Sequence, residues 1–280
     1  YSQQSDFLKS KVKTFTLRTE YEVNDNITFY NATRFGDTKN GYITTGAKGA
    51  TRAESDIEAP GADTISLSTH QGYQDVSYAS TQFNLFWNTK VFDRENNIVF
   101  GVEYSDESVN NGVYDISYQN ETNCITAGRR GDRAGYCIVD GGGEQLNNLS
   151  QLMGRAYARG DNDAVLNIET VSVYLMDTVH LTDQLDVFYG ARLDSFDYSN
   201  EATRRGNTEV YAYSDTMYNG NIGLIYDFSE DINVYANYST ATNINGGESD
   251  LGANCGYGGI CGNATQVPDS DPERVENIEI

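Results

Sequence analysis

The sequence predicts an all-β fold, a segment of a transmembrane antiparallel up-and-down β-barrel of about nine strands. Three observations carry that prediction. Long runs of residues alternate apolar and polar side chains with period two. The links between the runs alternate short and long. And the 280 residues include 21 Tyr but only 3 Pro. Proline cannot donate to a strand ladder, so its scarcity permits long uninterrupted strands. Tyrosine suits the girdles where a barrel wall meets the wet interface.

The alternation is clearest over residues 185–238. Leu185, Val187, Tyr189, Ala191 and Leu193 interleave with Asp186, Phe188, Gly190, Arg192 and Asp194. Ile222, Leu224, Tyr226 and Phe228 follow. After the polar turn Ser229-Glu230-Asp231, Ile232, Val234, Ala236 and Tyr238 return. Period two puts one set on each face of a strand, here an apolar face and a polar or small one. In chain order, Phe15, Leu17, Tyr21 and Val23 mark the first strand, and Ile27 and Phe29 begin the second. Thr81, Phe83, Leu85, Trp87 and Val91 mark the third, and Ile98, Phe100, Val102 and Tyr104 the fourth. Val171, Val173, Leu175, Val179 and Leu181 mark the fifth, with Asp177 as its one mismatch. The sixth, seventh and eighth strands lie within residues 185–238, and a ninth opens at Val275, Ile278 and Ile280.

The links at 24–26, 93–97, 182–184 and 229–231 are short. Those expected at 44–78, 120–163 and 245–272 are long, and one near 200–207 is intermediate. In an up-and-down barrel, alternate links lie at the same end. Short turns at one end and long loops at the other are the outer-membrane pattern. Single-chain bacterial barrels have even strand counts, so nine strands are expected to be part of a larger barrel.

Mean hydropathy is -0.56 and no stretch approaches a membrane-spanning helix. A barrel strand shows lipid only every second residue, so this leaves the barrel untouched. The formal net charge of -22 argues against nucleic acid, which needs a basic footprint. No basic-then-apolar leader opens the sequence at Tyr1.

Three phrases resemble the TonB-dependent outer-membrane receptors. Pro272-Glu273-Arg274-Val275-Glu276-Asn277-Ile278-Glu279-Ile280 resembles a strand opening of that family. Asp231-Ile232-Asn233-Val234-Tyr235-Ala236-Asn237-Tyr238-Ser239 resembles the strand before the preceding loop. Tyr174, Asp177, Leu181-Thr182-Asp183, Leu185, Gly190, Arg192 and Asp194 match the spacing of its hairpin. The spacing is most like the receptors for ferric catecholate siderophores. The resemblance implies that residues 1–280 are a partial barrel from a receptor of about 22 strands with a plugged lumen. The family's plug domain and TonB box are not among these residues. It further implies residence in the bacterial outer membrane, among its lipid and lipopolysaccharide. The whole receptor would bind a ferric siderophore at its extracellular loops. Import would draw energy from the TonB–ExbB–ExbD system through the plug. Polar residues of the non-lipid face, such as Asn84, Asn88, Arg192, Asn233 and Asn237, would meet the plug or water.

The candidate ligand contacts are Arg129, Arg130, Arg133, Tyr136, Arg155, Tyr157 and Arg159, a cationic and aromatic island in an acidic chain. A ferric tris-catecholate is a flat-faced trianion, suited to guanidinium groups and tyrosine rings. A solvated loop or a contact with lipopolysaccharide phosphate is the alternative. Cys124 with Cys137, and Cys255 with Cys261, read as two disulfides outside the cytosol, each contributing roughly 2–4 kcal/mol. Neither His70 nor His180 sits at ligand spacing from these pairs, so no metal is expected. No cofactor and no catalytic constellation are expected: Gly141-Gly142-Gly143 lacks the Lys-Ser/Thr end of a phosphate loop. Two other readings stand beside the receptor: a passive porin-type channel, and a surface barrel serving adhesion or phage attachment.

Overall fold

The computed structural model describes residues 2–49, 64–118, 135–138, 144–204, 206–244 and 272–280. Among them run β1 (Phe7–Asn24), β2 (Ile27–Gly49), β3 (Thr64–Val91), β4 (Arg94–Tyr118), β5 (Gly135–Cys137), β6 (Arg155–Thr182), β7 (Leu185–Arg204), β8 (Asn207–Ser229), β9 (Ile232–Asn243) and β10 (Glu273–Glu279). The sheet order is β1-β2-β3-β4-β6-β7-β8-β9-β10, with β5 paired to β3. Strands adjacent in the chain are therefore adjacent in the sheet, the meander that the alternation predicts. The three residues of β5 are an addition that the sequence does not signal. Cis peptide bonds are absent among the described residues.

The strands outrun their apolar patterns. β3 and β6 each have 28 residues, where about 9–11 suffice to cross a bilayer. Three expected links shrink as a result. β2 continues to Gly49 and β3 starts at Thr64, within the link expected at 44–78. β6 starts at Arg155, within the link expected at 120–163. The link near 200–207 is a tight turn, because Ala202 pairs with Glu209, Thr203 with Thr208 and Arg204 with Asn207. Gly206 supplies a positive φ of 79° at that turn. The reason is the same each time. Hydrophobic alternation ends where the apolar band ends, but backbone hydrogen bonding does not need it.

The short turns are built locally. Asn24 Oδ1 accepts from the Asn26 amide at 2.9 Å, an Asx turn between β1 and β2. Phe92 and Asp93 hold φ of 51° and 60° between β3 and β4, the left-handed pair that matches the twist of a two-residue hairpin. Thr182 Oγ1 accepts from the Gln184 amide at 3.2 Å before β7 begins.

The chain divides into two compact units. The first comprises Tyr1–Lys11, Thr38–Asp75 and Asn111–Asn162, and the second Val12–Asp37, Val76–Asn110 and Asp163–Ile280. In the second unit the apolar register is exposed: Phe15, Phe83, Phe100, Val171, Leu175 and Ile222 each show 43–62% of their surface. A water-soluble sheet buries such a face, whereas a barrel wall shows it to lipid. The opposite register holds Asn84, Ser172, Tyr174 and Asp194, all buried. It also holds an apolar cluster of Val109, Leu166, Phe196, Tyr198, Tyr213, Met217 and Ile244. Phe196 and Tyr213 meet edge to face, with centroids 5.4 Å apart. The first unit has its own cluster, Ile65, Leu67, Tyr136, Leu152 and Met153.

Asp177, the mismatch in the apolar register, has a structural answer. It pairs across the ladder with Tyr189, whose hydroxyl donates to Asp177 Oδ2 at 2.9 Å. The aspartate is 7% exposed and its Oδ1 has no partner. Replacing Tyr189 by Phe should cost about 1–3 kcal/mol, because a buried carboxylate then loses its donor. The check is the temperature at which the barrel loses its folded mobility on a detergent gel. An unchanged temperature would mean that Asp177 does not depend on Tyr189.

Candidate functional site

The period-two face of β6 sets the site in the first unit. Arg155, Tyr157 and Arg159 share that face, yet the structure gives them different work. Arg155 is 7% exposed and its side chain is fully enclosed. Its Nε donates to Ser5 Oγ at 2.9 Å, Nη1 to Thr69 Oγ1 at 3.0 Å, and Nη2 to Thr45 Oγ1 at 2.8 Å. Nη2 also pairs with the Asp6 carboxylate. Four partners therefore occupy the fork. Arg155 is a structural clamp and not an available ligand contact, which corrects the expectation from sequence.

The clamp acts with Gln3, which is 4% exposed. Gln3 Nε2 donates to the Leu149 carbonyl at 2.9 Å, and its Oε1 accepts from the Met153 amide at 2.8 Å. The Gln4 amide donates to the Ser150 carbonyl at 2.9 Å. Residues 3–6 thus tie the start of the chain to the segment leading into β6. That segment includes a single 3-10 turn, Leu149–Gln151.

Tyr136 is also placed differently from the expectation. It lies in β5 opposite Ile65 of β3, 2% exposed within the first unit's apolar cluster. Burial pushes its phenol above the usual tyrosine range. A ring packed this way is part of the core and presents no face to a ligand.

Tyr157 and Arg159 remain at the surface, and other strands bring them partners. The Arg159 guanidinium stands 3.8 Å from the Tyr73 ring centroid and donates through Nη2 to Asp75 Oδ2 at 2.7 Å. Lys39 Nζ lies 4.0 Å from the same oxygen. Tyr73 is held from below, its hydroxyl donating to the Gly160 carbonyl at 2.8 Å and to Asn162 Oδ1 at 3.1 Å. Tyr114 meets Tyr73 and Tyr157 edge to face, with centroids 5.6 and 5.7 Å apart. Phe7 tilts against Tyr157 at 5.0 Å, and Lys9 Nζ lies 5.0 Å over Phe7. The result is a shelf of four rings, with Lys39 and Arg159 on one carboxylate and Lys9 over Phe7. Sequence reasoning found two of its members and missed Phe7, Lys9, Lys39, Tyr73, Asp75 and Tyr114. They come from β1 to β4, and only the strand register brings them together.

The second unit carries a separate polar network on the register opposite its apolar face. Arg192 donates through Nε to Asp194 Oδ1 at 2.7 Å, through Nη1 to Glu103 Oε2 at 3.1 Å, and through Nη2 to Ser172 Oγ at 2.8 Å. Tyr174 accepts from Gln82 Nε2 at 2.6 Å and donates to Asn84 Oδ1. Beside them lies a cleft of about 360 Å³, lined by Gln82, Tyr174, Arg192, Asn219, Asn221 and Thr240 among others. Asp194 and Glu103 both engage the Arg192 guanidinium, so the network carries no excess positive charge. No cluster of metal-ligating side chains occurs among the described residues. Arg129, Arg130 and Arg133 lie outside the described residues, as do Cys124, Cys255 and Cys261. Cys137 is buried in β5.

The family model described as TonB dependent receptor-like, beta-barrel matches residues 1–280. The chain belongs to the TonB-dependent receptor family. TonB-dependent receptors are outer-membrane β-barrels of Gram-negative bacteria, and they transport and do not catalyse. This TonB-dependent receptor chain is 27% identical over 304 residues to the catecholate siderophore receptor Fiu of Escherichia coli, covering 100% of the chain and 36% of that relative. It thus spans little more than a third of the curated relative it matches. The crystal structure of Fiu, a ferric-catecholate import receptor, in its closed form superposes with a TM-score of 0.73 at 22% identity, over 99% of this chain and 38% of that one. The siderophore receptor PiuA from Acinetobacter baumannii superposes with a TM-score of 0.74 at 19% identity, over 99% and 38%. At these identities the structures speak for the fold: the nine-strand meander is a wall segment of such a barrel.

Proposed function

We propose that the whole receptor captures a ferric siderophore of the catecholate class at its extracellular loops. Import follows with energy delivered through the TonB–ExbB–ExbD system. The observation that carries this reading is the likeness of the entire chain to a catecholate siderophore receptor. In this proposal residues 1–280 form part of the barrel wall, and the plug lies elsewhere in the protein. With Arg155 and Tyr136 enclosed, the proposed contacts are Arg129, Arg130, Arg133 and the exposed Tyr157 and Arg159. The bonds Cys124–Cys137 and Cys255–Cys261 would close two of the loops, each stabilising by roughly 2–4 kcal/mol.

The test is equilibrium binding by the full-length receptor in detergent, titrated in turn with a ferric tris-catecholate, a ferric hydroxamate and cobalamin. Saturable submicromolar binding confined to the catecholate supports the cargo. Replacing Arg129, Arg130 and Arg133 by Ala should then weaken it at least tenfold. A folded receptor that binds none of the three would end the cargo proposal and bring passive diffusion or adhesion forward.

A further inference from the structure

We propose that Tyr73 and Asp75 hold Arg159 as a stacking platform for one aryl ring of the cargo, so that this shelf selects anionic chelates that carry aryl rings. The inference rests on the catecholate reading above and adds to it the residues that set selectivity.

The shelf occupies one face of the first unit. Leu8, Tyr42 and Val113 are exposed apolar residues of β1, β2 and β4. They alternate with Phe7 and Lys9, with Gly41 and with Tyr114. The rings and cations therefore lie opposite the apolar face, and in a barrel wall that side lines the polar interior. The shelf is also built. Tyr73 is 5% exposed, and its hydroxyl is fixed at Gly160 and Asn162. Glycines make room for the rings: a Cβ at Gly112 would overlap Tyr73, and one at Gly41 would overlap the Tyr114 hydroxyl. On this base the Arg159 guanidinium stands 3.8 Å from the Tyr73 centroid, so the ring covers one of its faces. One edge is tied to Asp75 through Nη2 at 2.7 Å. The side chain is nonetheless 45% exposed. Its open part is the second face, beside the exposed ring of Tyr157 two residues back on the same strand face. A planar ring laid there completes a ring–guanidinium–ring stack.

Charge narrows the choice of ring. Asp75 already answers part of the charge of Arg159, and of Lys39, whose Nζ lies 4.0 Å from the same oxygen. A plain anion therefore finds a weakened pull here, and a neutral aliphatic chelate finds neither charge nor stacking to use. An anionic chelate with aryl rings gains from both. A ferric tris-catecholate is of that class. Asp75 is thus a positioning residue. It fixes the guanidinium before the ring arrives and lessens the hold on bare charge.

The experiment measures equilibrium binding by the full-length receptor in detergent. Its probes are a ferric tris-catecholate (anionic, aryl), ferric citrate (anionic, aliphatic) and a ferric hydroxamate (neutral, aliphatic). Arg159→Lys keeps the charge and loses the plane, so it should weaken the catecholate about tenfold and leave citrate and hydroxamate as they are. Tyr157→Leu, at an exposed position, should likewise weaken the catecholate alone. Asp75→Asn keeps an acceptor for Nη2 and removes the negative charge. It should raise citrate affinity more than catecholate affinity, so the preference for the aryl chelate narrows. Wild-type heat resistance on a detergent gel shows that each variant is folded. Wild-type catecholate affinity in Arg159→Lys would overturn the proposal. So would parallel losses of citrate and catecholate in that variant, or a preference unmoved by Asp75→Asn. A wild-type receptor that binds no ferric chelate would end the cargo reading and this role with it, whereas catecholate binding indifferent to the variants would end this role alone.

Discussion

Replacing Arg155 by Ala is expected to destabilise the barrel segment more than any other single change here, by about 3–5 kcal/mol. The change strips the cation from Asp6, leaving it the Gln3 amide and the Thr45 hydroxyl, and it takes the guanidinium donor from Ser5, Thr45 and Thr69. The removed side chain is fully enclosed, so water does not readily take its place. The loss should be local at first. Amide exchange of residues 3–6 and 146–155 should quicken well before β7 and β8 respond. Arg155→Lys should fall between, since one ammonium keeps the charge but cannot span four acceptors on three sides. The proposed siderophore binding should survive wherever the fold does. A variant with wild-type exchange and wild-type heat resistance would show that Arg155 is not the clamp.

The second large effect is expected at Gly101, in β4. A Cβ there would overlap the ring of Tyr174 on β6. That ring is 8% exposed and can yield only toward the cleft that it lines. Its hydroxyl is also engaged with Gln82 and Asn84. Gly101→Val should therefore cost about 2–4 kcal/mol, adding overpacking to the loss of one or two hydrogen bonds. The diagnostic is a double-mutant cycle. In a Tyr174→Ala background the same valine should cost far less, because the ring it strikes is gone. Additive costs would place the damage elsewhere. Urea midpoints of the refolded barrel in detergent give all four corners of the cycle.

The sequence makes the wall legible because lipid selects side chains at every second position. Phe15 and Leu17, Phe83 and Leu85, Val171 and Val173 announce their face without help from the fold. Beyond the apolar band that selection stops, and the signal stops with it. This is why β3 begins at Thr64 and β6 at Arg155, among residues that read as loop. The same blindness covers the site. Arg155 and Arg159 look alike in sequence, four residues apart on one face. Only the partners separate them: Asp6, Thr45 and Thr69 close over one, while Tyr73 and Asp75 prop the other at the surface. Tyr136 misleads for a related reason. A tyrosine between loop cysteines suggests exposure, but a three-residue strand folds it against Ile65 and Leu67.

The overhang of the strands past their apolar band also bears on how such a receptor diversifies. Within the band, each substitution must satisfy hydrocarbon on one side and a neighbour on the other. At the tip of the β7–β8 hairpin the main chain carries the pairing, from Ala202 to Asn207, and Asn207, Thr208, Glu209 and Val210 are exposed. A lineage can therefore rewrite that stretch, trading charge, rings and length, without loosening the wall beneath. Freedom to change and firmness of support sit on the same strands, a few residues apart. New cargo can be explored there at little structural risk.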